Sequence, residues 1–351
     1  MTDLPPPAAP PSASRMLWID QLRVLACLAV VFIHVTGPAY ARFHDGPWWE
    51  WWLANLMSAS SRASVPVFMM ISGAMMRERD CDAAGFYQRK ALRFIPVILA
   101  WTVLYAVFDV VVMGYTVKDV ALEFISRGYV YLHLWYLAMF ACMLAFAPFL
   151  ARFRFPVPFS RGDGWWLGTL CVAFVSIDWG FHFACRALGV VFHEWTRTFL
   201  VFIPCFLLGA WLPAASVNRR RWKIVLAAAL IASWLANYLS CRFLGVIDDS
   251  MPLAFHSPLV LAVAVAVFLL AKSGARSSEK SPRWLAAAGE ASLGIYLLHP
   301  LFIWLFQRLL RGSGHDLLAG WWMPVTATAA FLASFACIHL LRRLPWGTRI
   351  C

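Results

Sequence analysis

The chain has 351 residues, 62% of them hydrophobic and 14% charged, with a formal net charge of +12 and a mean hydropathy of +0.68. Soluble domains are about 45–50% apolar and about 25% charged, so a water-soluble fold of this length could not hide so much apolar surface and lipid must be its solvent. The basic excess lies in short loops between apolar runs, where the positive-inside rule accounts for it without a nucleic-acid partner.

In chain order, the Pro-rich opening "MTDLPPPAAPPSASR" lacks a signal-peptide core and reads as a disordered cytoplasmic tail over residues 1–16. Apolar runs of membrane-spanning length follow at 17–38, 50–76, 91–113, 130–151, 164–184, 195–213, 222–243, 252–271, 284–307 and 319–341. Residues 17–341 are thus expected to form one all-α integral membrane domain of about ten transmembrane helices, with 342–351 a short cytoplasmic tail. Alternate connecting segments hold 21 of the 30 Lys and Arg residues against 8 in the others, the last being Arg62 within a span. That imbalance places both termini in the cytoplasm. Many of the 19 Trp residues lie near span ends, as interfacial belts require. The nine Cys residues include no C-x-x-C pair and mostly sit inside apolar runs, so neither a disulfide framework nor a metal site is expected.

The first span, "WIDQLRVLACLAVVFIHV", carries Asp20, Arg23 and His34. Eleven residues separate Arg23 from His34; that is three helical turns, so the two share a face with His34 about 16 Å deeper. Asp20 and Arg23 read as ordinary interfacial charges or as part of a site. His34 is either a core histidine bonded to a neighbouring helix or a general base lining a cavity, and its depth favours the second. Arg62 in "SASSRASVPVFMMISGAMM" and His299 in "SLGIYLLHP" fall at the same depth by the same rise, as does Asn237. Arg62 either caps backbone carbonyls or faces a cavity, and Pro66 and Ser72-Gly73 can locally break its helix. His133, in "HLWYL", lies near the outer end of the fourth span. At the cytoplasmic side Arg89, Lys90 and Arg93, in "RKALRFIP", sit where the third span opens. There a helix N-terminus and basic side chains suit a phosphorylated ligand, although the positive-inside rule alone explains each residue. No P-loop, G-x-G-x-x-G, H-E-x-x-H or G-x-S-x-G motif occurs.

Five segments, in order and at matching spacing, resemble the membrane acyltransferase 3 family: Asp20 with Arg23-x10-His34, "SVPVFMMISG", "RKALRFIP", "HLWYL" and "SLGIYLLHP". They cover most of residues 18–305, and "SASSRASVPVFMMISGAM" is most similar to the enterobacterial-common-antigen O-acetyltransferase branch. The resemblance implies a ten-helix core in a bacterial inner membrane, acetyl-CoA as donor, and a hydroxyl of a surface or lipid-linked glycan as acceptor. His34 would be the catalytic histidine, with Arg23 and Asp20 as its motif partners. Arg93, Lys90 and Arg89 would hold the donor, and Arg62, Trp135, Tyr136 and His299 would meet substrate. The chain departs from the family pattern at Lys90, Val24 and Ala74, where Arg, Gly and an aromatic residue are more common. Transfer could be direct or pass through an acyl-His34 intermediate. The rival reading is a transporter or flippase of a lipid-linked glycan with a His/Arg relay, against which the absence of an internal repeat counts.

Overall fold

In a computed structural model, residues 17–155, 157–158, 160–193, 195–214, 216–245, 253–274, 281–310, 316–345 and 347–350 are described, and these are helical with no strand among them. The expected tail at 1–16 lies outside the described residues. Seven helical stretches are long and apolar enough to cross a membrane, and two shorter apolar ones cover Trp195–Trp211 and Pro258–Gly274.

The central element is α1, Leu17–Ala41. It packs against α2 (Trp48–Ser61), α3 (Ser64–Ala74), α10 (Pro258–Gly274), α11 (Arg283–Leu309) and α12 (Trp322–Leu341). A helix packed against five others is the natural place for buried polar groups, because one of its faces is enclosed by protein. Helix α4 (Ala83–Val111) is peripheral. Ile95, Leu99, Val103, Val107 and Val111 form an exposed stripe along it, while Val97, Trp101 and Tyr105 are buried. In water that stripe would cost about 25 cal/mol per Å²; in lipid it costs nothing.

The expected second span is interrupted. Pro66 has no N–H to give the Arg62 carbonyl and its ring crowds that carbonyl, so α2 ends at Ser61 and α3 starts at Ser64. The expected sixth span is a 3-10 stretch, Trp195–Phe202, followed by α8 (Ile203–Trp211). The change of helix type comes immediately before Pro204, which cannot bond the Leu200 carbonyl. An element not expected from the apolar runs is α5, Val117–Arg127. Thr116 and Asp119 cap its N-terminus reciprocally, and Gly128 ends it in the left-handed region at φ 77°.

Helices α3 and α8 approach backbone to backbone. A Cβ placed on Gly73 would overlap the Phe206 carbonyl, and one on Gly209 would overlap Met70. This small-residue contact is how helices gain dispersion energy without a hydrophobic effect between them. Gly209→Ala is therefore expected to destabilise the protein by at least the ~1–3 kcal/mol of an overpacked contact. Gly180→Ala, where a Cβ meets nothing within 4 Å, should be neutral or slightly stabilising. Apparent melting midpoints in detergent measure both, and equal midpoints for the two variants would contradict the packing.

Candidate functional site

The site begins with a proline. Within α11, Pro300 has no N–H for the carbonyl of Tyr296 four residues earlier. His299 supplies the missing donor, with Nδ1 2.6 Å from that oxygen. A carbonyl oxygen only accepts, so Nδ1 carries the proton. In the neutral ring Nε2 is then a bare lone pair; it is buried and has no hydrogen-bond partner. The His34 ring lies 5.0 Å from the His299 ring between centroids, and the His133 ring 6.4 Å from His34 and 5.9 Å from His299. His133 sits on the 3-10 turn Leu132–Leu134, before α6 (Trp135–Ala151). The Tyr296 hydroxyl anchors that turn by donating to the His133 carbonyl. Tyr105 fixes the neighbouring turn of α11 by donating to the Leu297 carbonyl at 2.7 Å.

His34 and His133 line a cavity of about 540 Å³. Its other walls come from the C-terminal end of α4, from the Tyr115 loop, from α5, and from the last turns of α11 at Pro300, Ile303, Trp304 and Gln307. All of these lie toward the end of α1 opposite Arg23. His34 and Trp304 are half-buried and His133 is buried, whereas Tyr115, Asp119 and Gln307 are exposed at the mouth. Three cavity carboxylates, Asp109, Asp119 and Glu123, were missed at the level of sequence. Asp109 carried the signal, as the only carboxylate within the apolar run 91–113.

The polar residues expected at one depth do not all meet. The guanidinium of Arg62 lies over the Phe255 ring at 5.1 Å, and Trp135 stacks on the same ring with centroids 5.5 Å apart. Tyr136 is in the core, stacked on Phe140 and 5.3 Å from Tyr296. Neither Arg62 nor Trp135, Tyr136 and His299 contributes to the cavity lining. Asn237 belongs to a separate network. It accepts from Tyr40 at 2.7 Å and donates to Asn55 at 2.7 Å, and Asn55 donates to the Trp234 carbonyl at 3.1 Å.

At the other end of α1, Asp20 is 1% exposed. It accepts from the Ser281 hydroxyl at 2.7 Å and pairs with Arg23 at 3.6 Å. Gly289 allows this contact, since a Cβ there would stand 2.9 Å from the Asp20 carboxylate. Between Arg23 and His34 the shared face is packed: Cys27 and Val30 are buried, and the Cys27 thiol bonds the Ser292 carbonyl at 3.3 Å. The basic trio stands differently from expectation. Helix α4 starts at Ala83, and its first turn is capped by the Asp82 carboxylate, which accepts from Gly85. Arg89, Lys90 and Arg93 are therefore in its second and third turns, and no open helix N-terminus assists them. Arg89 pairs with Asp80 at 3.4 Å and the Lys90 ammonium lies 5.5 Å above the Phe86 ring. Arg93 is exposed, although Phe86 and Val97 on the same helix face are buried.

The profile of the acyltransferase-domain family matches residues 16–342. The chain belongs to the membrane acyltransferase 3 family. No curated protein and no solved structure matches it. As a membrane acyltransferase it acts on an acyl donor and an acceptor within a bilayer, and this assignment selects acyl transfer over the transporter reading.

For an acyltransferase, the histidine cluster can do one thing well. A protonated His34 nitrogen can donate to the bare Nε2 of His299, which turns the other His34 nitrogen into the cavity as a base. A hydrogen bond to a group that becomes charged is worth about 1.5–3 kcal/mol, or about 10- to 100-fold in rate. His299→Ala is accordingly expected to lower kcat by that factor while leaving the KM values of both substrates within about twofold. A rise in acceptor KM at unchanged kcat would make His299 a binding residue instead.

Proposed function

We propose that the protein is an O-acyltransferase, with acetyl as the acyl group, that carries acyl from a cytoplasmic coenzyme A thioester to a hydroxyl of a surface or lipid-linked glycan across a bacterial inner membrane. The observation that carries this reading is the placement of His34. It opens into a polar cavity at one end of α1, while Arg23 and the Lys90–Arg93 face lie toward the other end, about 16 Å away by helical rise. The 21-to-8 division of Lys and Arg supports a cytoplasmic Arg23 end and cytoplasmic termini, and the five segments listed from the sequence support the glycan acceptor.

On this reading the coenzyme phosphates meet Arg93 and Lys90, and the pantetheine arm runs toward His34. His34 takes the proton of the acceptor hydroxyl, whose oxygen attacks the thioester carbonyl carbon. The C–S bond breaks, and the departing thiolate receives the proton that His34 took. Asp20 holds Arg23 at the inner end. The bare Nε2 of His299 favours His34 as base over His34 as nucleophile, because it offers the imidazolium a partner.

His34→Ala should lower acyl transfer by about 10²–10⁴ in protein that inserts and folds like wild type, followed as thiol release with acceptor present. Full activity in a folded variant would remove His34 from the mechanism. Sidedness is tested independently. Inside-out vesicles should use externally added acetyl-CoA to acylate acceptor enclosed in the lumen, and a cysteine at Gly37 should react with an impermeant thiol reagent from the periplasmic side. Labelling from the cytoplasmic side alone would place donor and acceptor on one face.

A further inference from the structure

The cavity walls carry a charge pattern that bears on which acceptors can enter, and this inference rests on the reading of the cavity as the acceptor site. Asp109 is 6% exposed and faces the cavity. Among the described residues no Lys, Arg or hydrogen-bond donor holds its carboxyl group. A carboxyl that opens into a cavity without a protein partner can take its hydrogen bonds from what binds there. The other two carboxylates of the wall are already engaged. Asp119 accepts from the Thr116 N–H at 3.0 Å and from its hydroxyl at 2.7 Å, and Glu123 pairs with Arg127 at 2.8 Å. Among the described residues, neither Arg127 nor any other Lys or Arg lines the cavity. His133 also lines the cavity, but both of its ring nitrogens are enclosed within the protein. Tyr131 and Trp304 line the same cavity.

We infer that this cavity selects a sugar acceptor bearing no negative charge, with Asp109 bonding its ring hydroxyls and Tyr131 and Trp304 packing against its apolar face. A carboxyl group bonds vicinal hydroxyls well, because each oxygen offers lone pairs and hydroxyls donate. The aromatic faces suit the C–H surface of a pyranose ring. A uronic acid or a phosphorylated sugar would put its own anion against the Asp109 carboxylate with no Lys or Arg among the described residues of the wall to meet it, and like-charge juxtaposition is how sites reject wrong partners. The specificity is thus set by what the wall lacks as much as by what it holds.

The test is binding, which separates it from turnover. Full-length protein in lipid nanodiscs, wild type and His34→Ala, is titrated with methyl hexosides and the matching methyl hexuronosides and followed by saturation-transfer NMR. The neutral glycoside should bind both proteins, and the uronoside at least about tenfold more weakly. Asp109→Asn and Asp109→Leu, checked for folding by gel filtration, should weaken the neutral glycoside about tenfold or more for Leu and less for Asn, which keeps a hydrogen-bonding amide. Asn should also narrow the gap to the uronoside. Equal or tighter uronoside binding overturns the inference, as does neutral-sugar binding that is unchanged by Asp109→Leu. A preserved preference in wild-type protein that transfers no acyl group would leave this inference standing and remove the catalytic reading alone.

Discussion

The carbonyl of Tyr296 has no helical amide to bond, because residue 300 is proline, and the reactive end of the molecule is organised around that deficit. In a bilayer interior no water can fill the gap, and an unsatisfied carbonyl there costs several kcal/mol. The repair comes from the adjacent side chain, His299, through Nδ1. That bond determines which nitrogen is left bare, and with it which way a neighbouring imidazole can be turned. The same turn of α11 holds the hydroxyl of Tyr296 against the His133 backbone and receives the hydroxyl of Tyr105 at Leu297. This one turn of α11 thus ties together α4, α11 and the turn before α6, close to His34 of α1.

The opposite end of α1 is held by charge. Asp20 is almost fully buried, yet it is matched by Arg23 and by the Ser281 hydroxyl, and a glycine at 289 lets α11 come close enough to enclose it. Burying a carboxylate is tolerable only with such partners. Along the face between the two ends, Cys27 and Val30 are buried, and the Cys27 thiol bonds the Ser292 carbonyl of α11. Both polar ends of α1 therefore rest on one helix partner, and the apolar seam between them closes the face that joins them.

Much of this was legible from the residues. Helical rise predicts depth, so the eleven-residue spacing in α1, the break at Pro66 and the outer position of His133 follow from simple counting. Depth is only one coordinate. Arg62, Asn237, His34 and His299 were expected at one level, but which of them touch depends on how helices are arranged around α1. That is set by side-chain packing between distant segments and leaves no local mark. Asn237 is bonded in a separate Tyr40–Asn55 network, and Arg62 lies over Phe255. Helix α5 escaped because its run is too polar for a membrane span, although the Thr116–Asp119 box and Gly128 mark its ends. The start of α4 was read seven or eight residues late for a related reason: hydropathy locates the apolar stretch, while the cap at Asp82 locates the helix.

Transfer from a thioester has a competitor built into its surroundings, since water is also an acceptor. A cavity polar enough to hold a sugar is wet, and a base such as His34 at its floor would activate water as readily as a hydroxyl. The packed seam at Cys27 and Val30 bears directly on this problem. On the proposed reading, while it is closed, a thioester held near Arg23 is kept from the cavity by about three helical turns that include the buried Cys27 and Val30. Only a separation of α1 from α11 along that face would bring donor and base together. An acceptor bound over His34 displaces the cavity water before such an opening and so decides which hydroxyl is present when the thioester arrives. On that reading the seam and the cavity wall act on one quantity, the ratio of transfer to hydrolysis, from different positions along the same helix.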